Sequence, residues 1–279
     1  MVLQPRDIKI LESLNRYGVL STKQLRHLFF ENVAHTTVMR RLRAFEDENF
    51  IERVAVLDDG MNCWSLTDVG GKKIEKGNQF KHRNKNTLNH TVTLNELRFV
   101  LEKNGVGKDW TNEFDLKKVP YKRNYYDQKD YRVIPDGLIV ESVFGQSHAV
   151  AVELELNLKT PSRYKRLFQQ YREKKSLGLV WYLVPRSEMG FRLWKFWQQT
   201  WGYGDPSFSF SVLSDVLSDF QNSKIVVAGK ECRCREVFDS LKKSENKIEI
   251  ADAVLPKNSP STDAQGVSGL EGEKMDVAA

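Results

Sequence analysis

The chain is poor in cysteine, with only Cys63, Cys232 and Cys234 among its 279 residues. That set supports neither a disulfide framework nor a four-ligand zinc site, and it points to a reducing cytosol. No apolar run approaches the roughly 20 residues that a membrane-spanning helix needs. The first residues, MVLQPRDIKILESLNRYG, contain no basic region followed by an apolar stretch, so no export signal is expected. A Gly-rich phosphate loop ending in Lys-Ser or Lys-Thr is also missing, which argues against ATP use. These absences leave an intracellular, soluble protein with no membrane segment.

What is present begins with charge. Lys and Arg number 43 against 37 Asp and Glu, a formal net of +6, which mildly favours a polyanionic partner over none. At 279 residues the chain is long enough for two domains, each with its own core.

Residues 1–76 read as one unit of three helices and a hairpin. Pro5 suits a first helical turn, and Ile8, Leu11 and Leu14 share a face before Gly18 stops the run. Ser21 is an N-cap candidate for a helix over 22–30, and Val38, Leu42 and Phe45 mark the apolar side of a third helix over 36–47. In FIERVAVLDDGMNCWSLTDVG two strand-like runs flank Asp58, Asp59 and Gly60, a hairpin turn signal. This order predicts a winged helix-turn-helix. With Val38 and Leu42 turned inward, Thr36, Thr37, Arg40, Arg41 and Arg43 are left to meet DNA. Arginine can bond guanine in the major groove, and threonine can reach phosphates or the thymine methyl. The plainer alternatives are a solvated basic face or a winged helix that binds protein; His35 reads as a cap or turn residue.

Residues 77–86, GNQFKHRNKN, are polar and basic and read as a linker. The second domain, 87–241, opens with a helix ending at Gly105, whose apolar side carries Leu94, Leu97 and Leu101. Strands are expected around 110–119, 132–140 and 150–160. Thr160 and Pro161 signal a helix start, with Tyr164, Leu167, Phe168 and Tyr171 on its apolar side. LGLVWYLVP, 177–185, is apolar enough for a strand covered on both faces. Strand, helix, buried strand predicts a βαβ unit and hence an α/β domain, α+β with the N-terminal unit included. Trp194, Trp197 and Trp201, at helical spacing, read as core rather than as a platform for bases. FSFSVL, 208–213, reads as an edge strand, and the Ser-, Pro- and Gly-rich residues 242–279 as a disordered tail.

Chemistry is expected on VAVELELNLKT, residues 150–160. Strand alternation would put Glu153, Glu155, Asn157 and Lys159 on one face, and Val152, Leu154, Leu156 and Leu158 on the other. Upstream, YRVIPDGLIV sets Asp136 among apolar residues, where an unpaired charge is costly. Pro-Asp-Gly is equally a turn signal. If the two strands pair, Asp136, Glu153 and Glu155 converge, and three neighbouring carboxylates call for a cation. An all-oxygen set selects Mg²⁺ or Mn²⁺, ions suited to phosphodiester cleavage. Lys159 would neutralise developing charge or orient the nucleophile, with Arg163 and Lys165 as alternatives.

Pro135, Asp136, Glu153, Leu154 and Glu155 resemble the PD-(D/E)XK nuclease pattern, with Glu155 standing where the lysine is usual. A longer order covers about residues 5–185: a winged helix, LNHTVTLNELR with His90 and Asn95, PDG, a Glu-x-Glu strand and an Arg-Tyr helix. This order resembles the replication-relaxation and MobC-type mobilization proteins. The resemblance implies a winged helix followed by a restriction-endonuclease-like mixed-sheet domain. It implies a metal-dependent relaxase that nicks an origin of transfer during conjugative mobilization of a plasmid or integrative element. Asp136, Glu153 and Glu155 would be its metal ligands, relaxosome accessory proteins and a coupling protein its partners, and the bacterial cytoplasm its location. The lack of any His-hydrophobe-His triplet sets the chain apart from relaxases whose metal is held by imidazoles.

A tyrosine that holds the cut strand could be Tyr121, Tyr125, Tyr126, Tyr131 or Tyr164, none of them distinguished by spacing; hydrolysis is the alternative. Two other activities fit the same residues. One is a non-catalytic replication or transcription regulator on a nuclease-like scaffold, which Glu155 in the lysine position supports. The other is a restriction or transposition endonuclease. For His90 and Asn95 the sequence offers only a capping or sheet-bonding role.

Overall fold

A computed structural model describes residues 2–57, 60–75, 85–118, 133–143, 146–172, 177–201 and 208–238. Asp58, Asp59, residues 77–84 of the expected linker, Tyr121, Tyr125, Tyr126, Tyr131 and the expected tail 242–279 lie outside the described residues.

The chain opens with α1 (Pro5–Tyr17), which begins at a proline and ends at Gly18 with φ 77°, a backbone conformation that glycine adopts without strain. After β1 (Val19–Ser21) come α2 (Thr22–Phe29) and α3 (His35–Asp47). Ser21 caps α2 as expected: its Oγ accepts from the Gln24 N–H at 3.2 Å, and Gln24 Oε1 accepts from the Ser21 N–H at 3.0 Å, a reciprocal capping box. The hairpin is β2 (Ile51–Val56) and β3 (Asn62–Leu66), followed by α4 (Asp68–Lys73). Strand β1 was not expected, because three residues are too few to show alternation; it pairs with β3 to give the order β1-β3-β2. Leu11, Leu14, Leu25, Val38, Leu42 and Phe45 meet in one core as read, but on α1 the buried isoleucine is Ile10, while Ile8 is half-buried and lies outside that core.

Helix α5 (Lys85–Lys103) begins inside the stretch expected to be a linker. Its Leu88 and Val92 pack against Val19 and Cys63 of the first unit, and Gln24 Nε2 donates to Val92 O at 2.8 Å. Next come β4 (Thr111–Asn112) and α6 (Glu113–Lys118), where a longer strand was expected. Asn112 Oδ1 accepts from the Asp115 N–H at 2.9 Å and so turns the chain into a helix whose first turn is acidic.

The remaining elements are β5 (Gly137–Val143), β6 (Gln146–Leu154), α7 (Pro161–Arg172), β7 (Leu177–Val184), α8 (Ser187–Trp201), β8 (Phe208–Val212), α9 (Leu213–Ser218), β9 (Lys224–Val227), β10 (Lys230–Arg233) and α10 (Cys234–Val237). They complete a seven-stranded mixed sheet ordered β10-β9-β8-β7-β6-β5-β4. The expected βαβ unit is present: β6 and β7 pair in parallel with α7 between them in sequence. The strand β8 is interior rather than an edge, because the β9–β10 hairpin pairs with its outer side. Each face of the sheet buries its own apolar layer. One contains Val150, Val152, Trp181 and Leu183 with Leu97 and Leu101 of α5; the other contains Tyr164, Phe168 and Tyr171 of α7 with Tyr182 and Phe208. Trp197 lies in the second layer, 1% exposed, and Trp194 packs against it. Among the described residues no helix is long and apolar enough to cross a membrane.

Candidate functional site

The antiparallel register of β5 and β6 pairs Gly137 with Val152. One step further along that register, Asp136 faces Glu153 where the two strands part. The strand β6 ends at Leu154, well short of the run expected to continue to residue 160. One further sheet bond, from the Glu155 N–H to Leu183 O at 2.9 Å, carries Glu155 beside β7. The chain then bends, because residues 155–160 must connect to α7. Lys159, expected further along the same strand face, instead returns its Nζ to the Glu155 carboxylate. The Lys159 N–H donates to Tyr164 Oη at 3.0 Å, and Asn157 is left exposed.

Each carboxylate has its own protein partner. Asp136 Oδ2 accepts from the Leu154 N–H at 2.8 Å and lies 3.2 Å from His90 Nε2. His90 Nε2 is also 3.0 Å from Leu154 O. Both neighbours of Nε2 are acceptors, so that nitrogen carries a proton. Glu153 accepts from the Tyr171 hydroxyl. Glu155, 4% exposed, is paired with Lys159.

The electrostatics show how crowded the negative charge is. Burial and the Asp136 charge push Glu153 up to about 8, against the pull of the Tyr171 hydroxyl and the Lys159 ammonium. Burial works against a charged His90, but Asp136, the Leu154 carbonyl and Glu153 outweigh it and lift the ring to about 9. Burial and Glu153 hold the Tyr171 and Tyr182 phenols well above their ordinary range. Tyr182 pairs with Glu153 in the β6–β7 register, and its buried hydroxyl has no hydrogen-bond partner among the described residues. Tyr164 is buried, and its phenol too is raised, by burial first.

Among the described residues no three His, Cys, Asp or Glu side chains are grouped closely enough to hold a metal ion. The reason is local: Asp136 turns to His90, Glu153 to Tyr171 and Glu155 to Lys159. The donor chemistry nonetheless suits a hard cation. Glu153 retains a proton to about 8 partly because Asp136 is beside it, and a divalent ion between the two carboxylates would relieve the same repulsion.

His90 and Asn95, whose roles the sequence left open, both bond backbone carbonyls at the ends of other elements. His90 reaches Leu154 O, and Asn95 Nδ2 donates to Tyr17 O at 3.0 Å and Val19 O at 2.7 Å. The sequence pointed to neither Tyr171 nor Tyr182 as a site residue. The usable signal for Tyr171 was a phenol on an otherwise apolar helix face, since a buried hydroxyl needs a partner.

On α3, Thr36, Thr37, Arg40 and Arg43 are exposed. Arg41 is not free in the same way: Nε donates to Asp7 Oδ1 at 3.1 Å, Nη2 bonds Oδ2, and the guanidinium lies 5.1 Å from the Phe45 ring centre.

No curated protein and no solved structure matches this chain. A family model described as replication-relaxation matches residues 11–180. The match covers more than half of the sequence and takes in α5, Asp136, both glutamates and the first half of β7, and on that ground the chain belongs to the replication-relaxation family.

Proposed function

We propose that the protein is a metal-dependent DNA relaxase, a site- and strand-specific nickase acting at the origin of transfer of a plasmid or integrative element. The observation that carries this reading is the meeting of Asp136 and Glu153 where β5 and β6 part, with Lys159 brought back onto Glu155. The element order supports the architecture. Helix α5, the antiparallel run β4-β5-β6, then α7 and the parallel β7 suit a PD-(D/E)XK core. The order α1, β1, α2, α3, β2, β3 suits a winged helix, with Thr36, Thr37, Arg40 and Arg43 presented for DNA and Arg41 fixing the helix to α1.

Asp136, Glu153 and Glu155 would have to close in from their present spacing to hold Mg²⁺ or Mn²⁺. When bound, such an ion activates a nucleophile and stabilises charge on the phosphate. The chain's own groups do the positioning. The Leu154 N–H and His90 fix Asp136, and the Tyr171 hydroxyl fixes Glu153. The Lys159 ammonium supplies the positive charge that the lysine of the motif would bring, from four residues further along the chain. Tyr164 is too buried to attack DNA, which removes it from the tyrosine candidates and leaves a tyrosine of residues 121–131 or hydrolysis.

A second activity has one observation behind it. Because Asp136, Glu153 and Glu155 are each already engaged by the protein, the domain could serve as a scaffold in a DNA-binding regulator. One assay separates the possibilities: supercoiled DNA carrying the element's origin, the full chain, and Mg²⁺ or Mn²⁺. Site-specific open circles that vanish with Glu153→Gln are expected. Linear product would identify an endonuclease, and tight binding without cleavage a regulator. Relaxosome accessory proteins and a coupling protein would be the partners of the nickase, in the bacterial cytoplasm.

A further inference from the structure

A cavity of about 170 Å³ lies between α5, the β4–α6 segment and the end of α1, with Asp136 and His90 in its wall. Its volume is below the roughly 300–1,000 Å³ of sites for drug-sized ligands, so its occupant is about one planar ring system. Three aromatic side chains, Tyr17, Trp110 and Phe114, contribute to the lining. The Arg98 guanidinium lies 4.6 Å from the Tyr17 ring centre and 5.6 Å from that of Trp110, and its Nε donates to Glu102 at 2.8 Å. These contacts fix the aromatic wall in place. Trp110 is held from the other side as well, because its ring lies flush against the Gly137 backbone, next to Asp136.

Polar groups share the lining. Thr91 and Asn112 can bond the edge of a ring, and Arg16, paired with Glu102 at 2.8 Å, and Lys117, paired with the lining Glu113 at 2.5 Å, bring positive charge. A flat ring with hydrogen-bonding edges, joined to an anion that the Arg16 or Lys117 side chain of the same lining can meet, is the chemistry of a nucleotide in a strand. A base inside a duplex is stacked and cannot enter such a cavity; an unpaired one can.

We infer that this cavity takes one unpaired nucleobase of the DNA strand, next to the phosphate that lies at the candidate site, so that the protein engages its strand unwound. The inference rests on the nickase reading for the identity of that phosphate, but its test does not depend on cleavage.

The test compares two fluorescein-labelled single strands of equal length, oligo(dT) and an oligomer of abasic nucleotides, binding to the full chain in EDTA. The abasic strand keeps the phosphates and removes the rings. Thr91→Phe fills the cavity from α5, where among the described residues the Thr91 hydroxyl bonds the carbonyl of Thr87 in its own helix, at 2.8 Å. Phe114→Ala removes one wall and serves as the second variant if the first does not fold. The wild-type chain is expected to prefer oligo(dT) by about tenfold, the scale of one stacked base. Either variant should shrink that preference while leaving abasic-strand affinity unchanged. Equal affinity of the wild-type chain for both strands would overturn the inference, as would an unaltered preference in folded variants. A chain that nicks without base preference overturns the cavity assignment alone, and a chain that prefers bases but never nicks overturns the nickase alone.

Discussion

His90 and Asn95 leave α5 on different sides. Five residues apart, they are separated by about 140° around a helix of 3.6 residues per turn. One reaches Asp136 and Leu154 at the candidate site; the other reaches Tyr17 and Val19 of the N-terminal unit. A single helix therefore touches both the unit proposed to find DNA and the carboxylates proposed to cut it.

The Asn95 end of that link is structural. Asn95 is buried, and its amide serves two backbone carbonyls. Replacing it with alanine leaves both without that donor and should lower stability by about 1–3 kcal/mol, read as a reduced urea midpoint. An unchanged midpoint would show that α5 is held by apolar contact alone.

The His90 end should act on chemistry. His90→Ala removes the group that orients Asp136, and loss of such an outer partner typically lowers metal affinity or activity about 10–100-fold. Titrating the nicking rate with Mn²⁺ measures it. His90→Gln, which keeps a donor, should recover part of the loss, whereas a role confined to packing would leave both variants with the wild-type metal dependence.

Stability should fall as pH rises. Glu153 moves from 4.5 to about 8 on folding. Its folded pKa is raised, so its contribution is complete below 4.5 and is lost as pH climbs through about 8. His90 moves from 6.5 to about 9, so its contribution is complete below 6.5 and is lost through about 9. Both slopes have the same sign between 6.5 and 8. The thermal midpoint should therefore decline from about pH 6 to about pH 9, and Glu153→Gln should flatten the curve. Mn²⁺ should flatten it too, by replacing the proton. Parallel curves for wild type and Glu153→Gln would mean that Glu153 titrates normally.

Much of this was legible from local pattern. The Ser21 cap, the α3 core positions and the β6–α7–β7 unit follow from spacing and from single residues whose physics is local. The closeness of Asp136 and Glu153 was readable only on condition that the two strands pair, which the antiparallel β5–β6 register supplies. What spacing could not supply were partners set by the turn after Leu154. Continued as a strand, Lys159 would stand well away from Glu155; the bend into α7 brings the two together. Nor does any local signal tell a helix residue such as His90 which strand carbonyl it will meet 64 residues later.

Arg40 and Arg41 illustrate the same limit, since helical spacing makes them equally outward and only one is engaged by Asp7. Asp7 is fully buried, and its carboxylate also accepts from the Gln4 N–H at 2.7 Å. Arg41→Ala should cost about 2–3 kcal/mol of stability by stranding that charge. Arg40→Ala with Arg43→Ala should leave the thermal midpoint nearly unchanged while weakening DNA binding and its salt dependence, by about one phosphate contact each. Binding that survives the double substitution would reassign the exposed face of α3 to a protein partner.

Gly137 links the sheet to both proposals. A Cβ at this position would fall within the Trp110 ring, so Gly137→Ala must push the indole outward or shift the first residue of β5. Overpacking of this kind costs about 1–3 kcal/mol. Because Trp110 also lines the cavity and Asp136 is the preceding residue, the variant should show a shifted tryptophan emission, a reduced preference for oligo(dT) over the abasic strand, and slower nicking. If stability falls but base preference and nicking persist, Trp110 moves without touching DNA, and the ring that selects the base must be Tyr17 or Phe114.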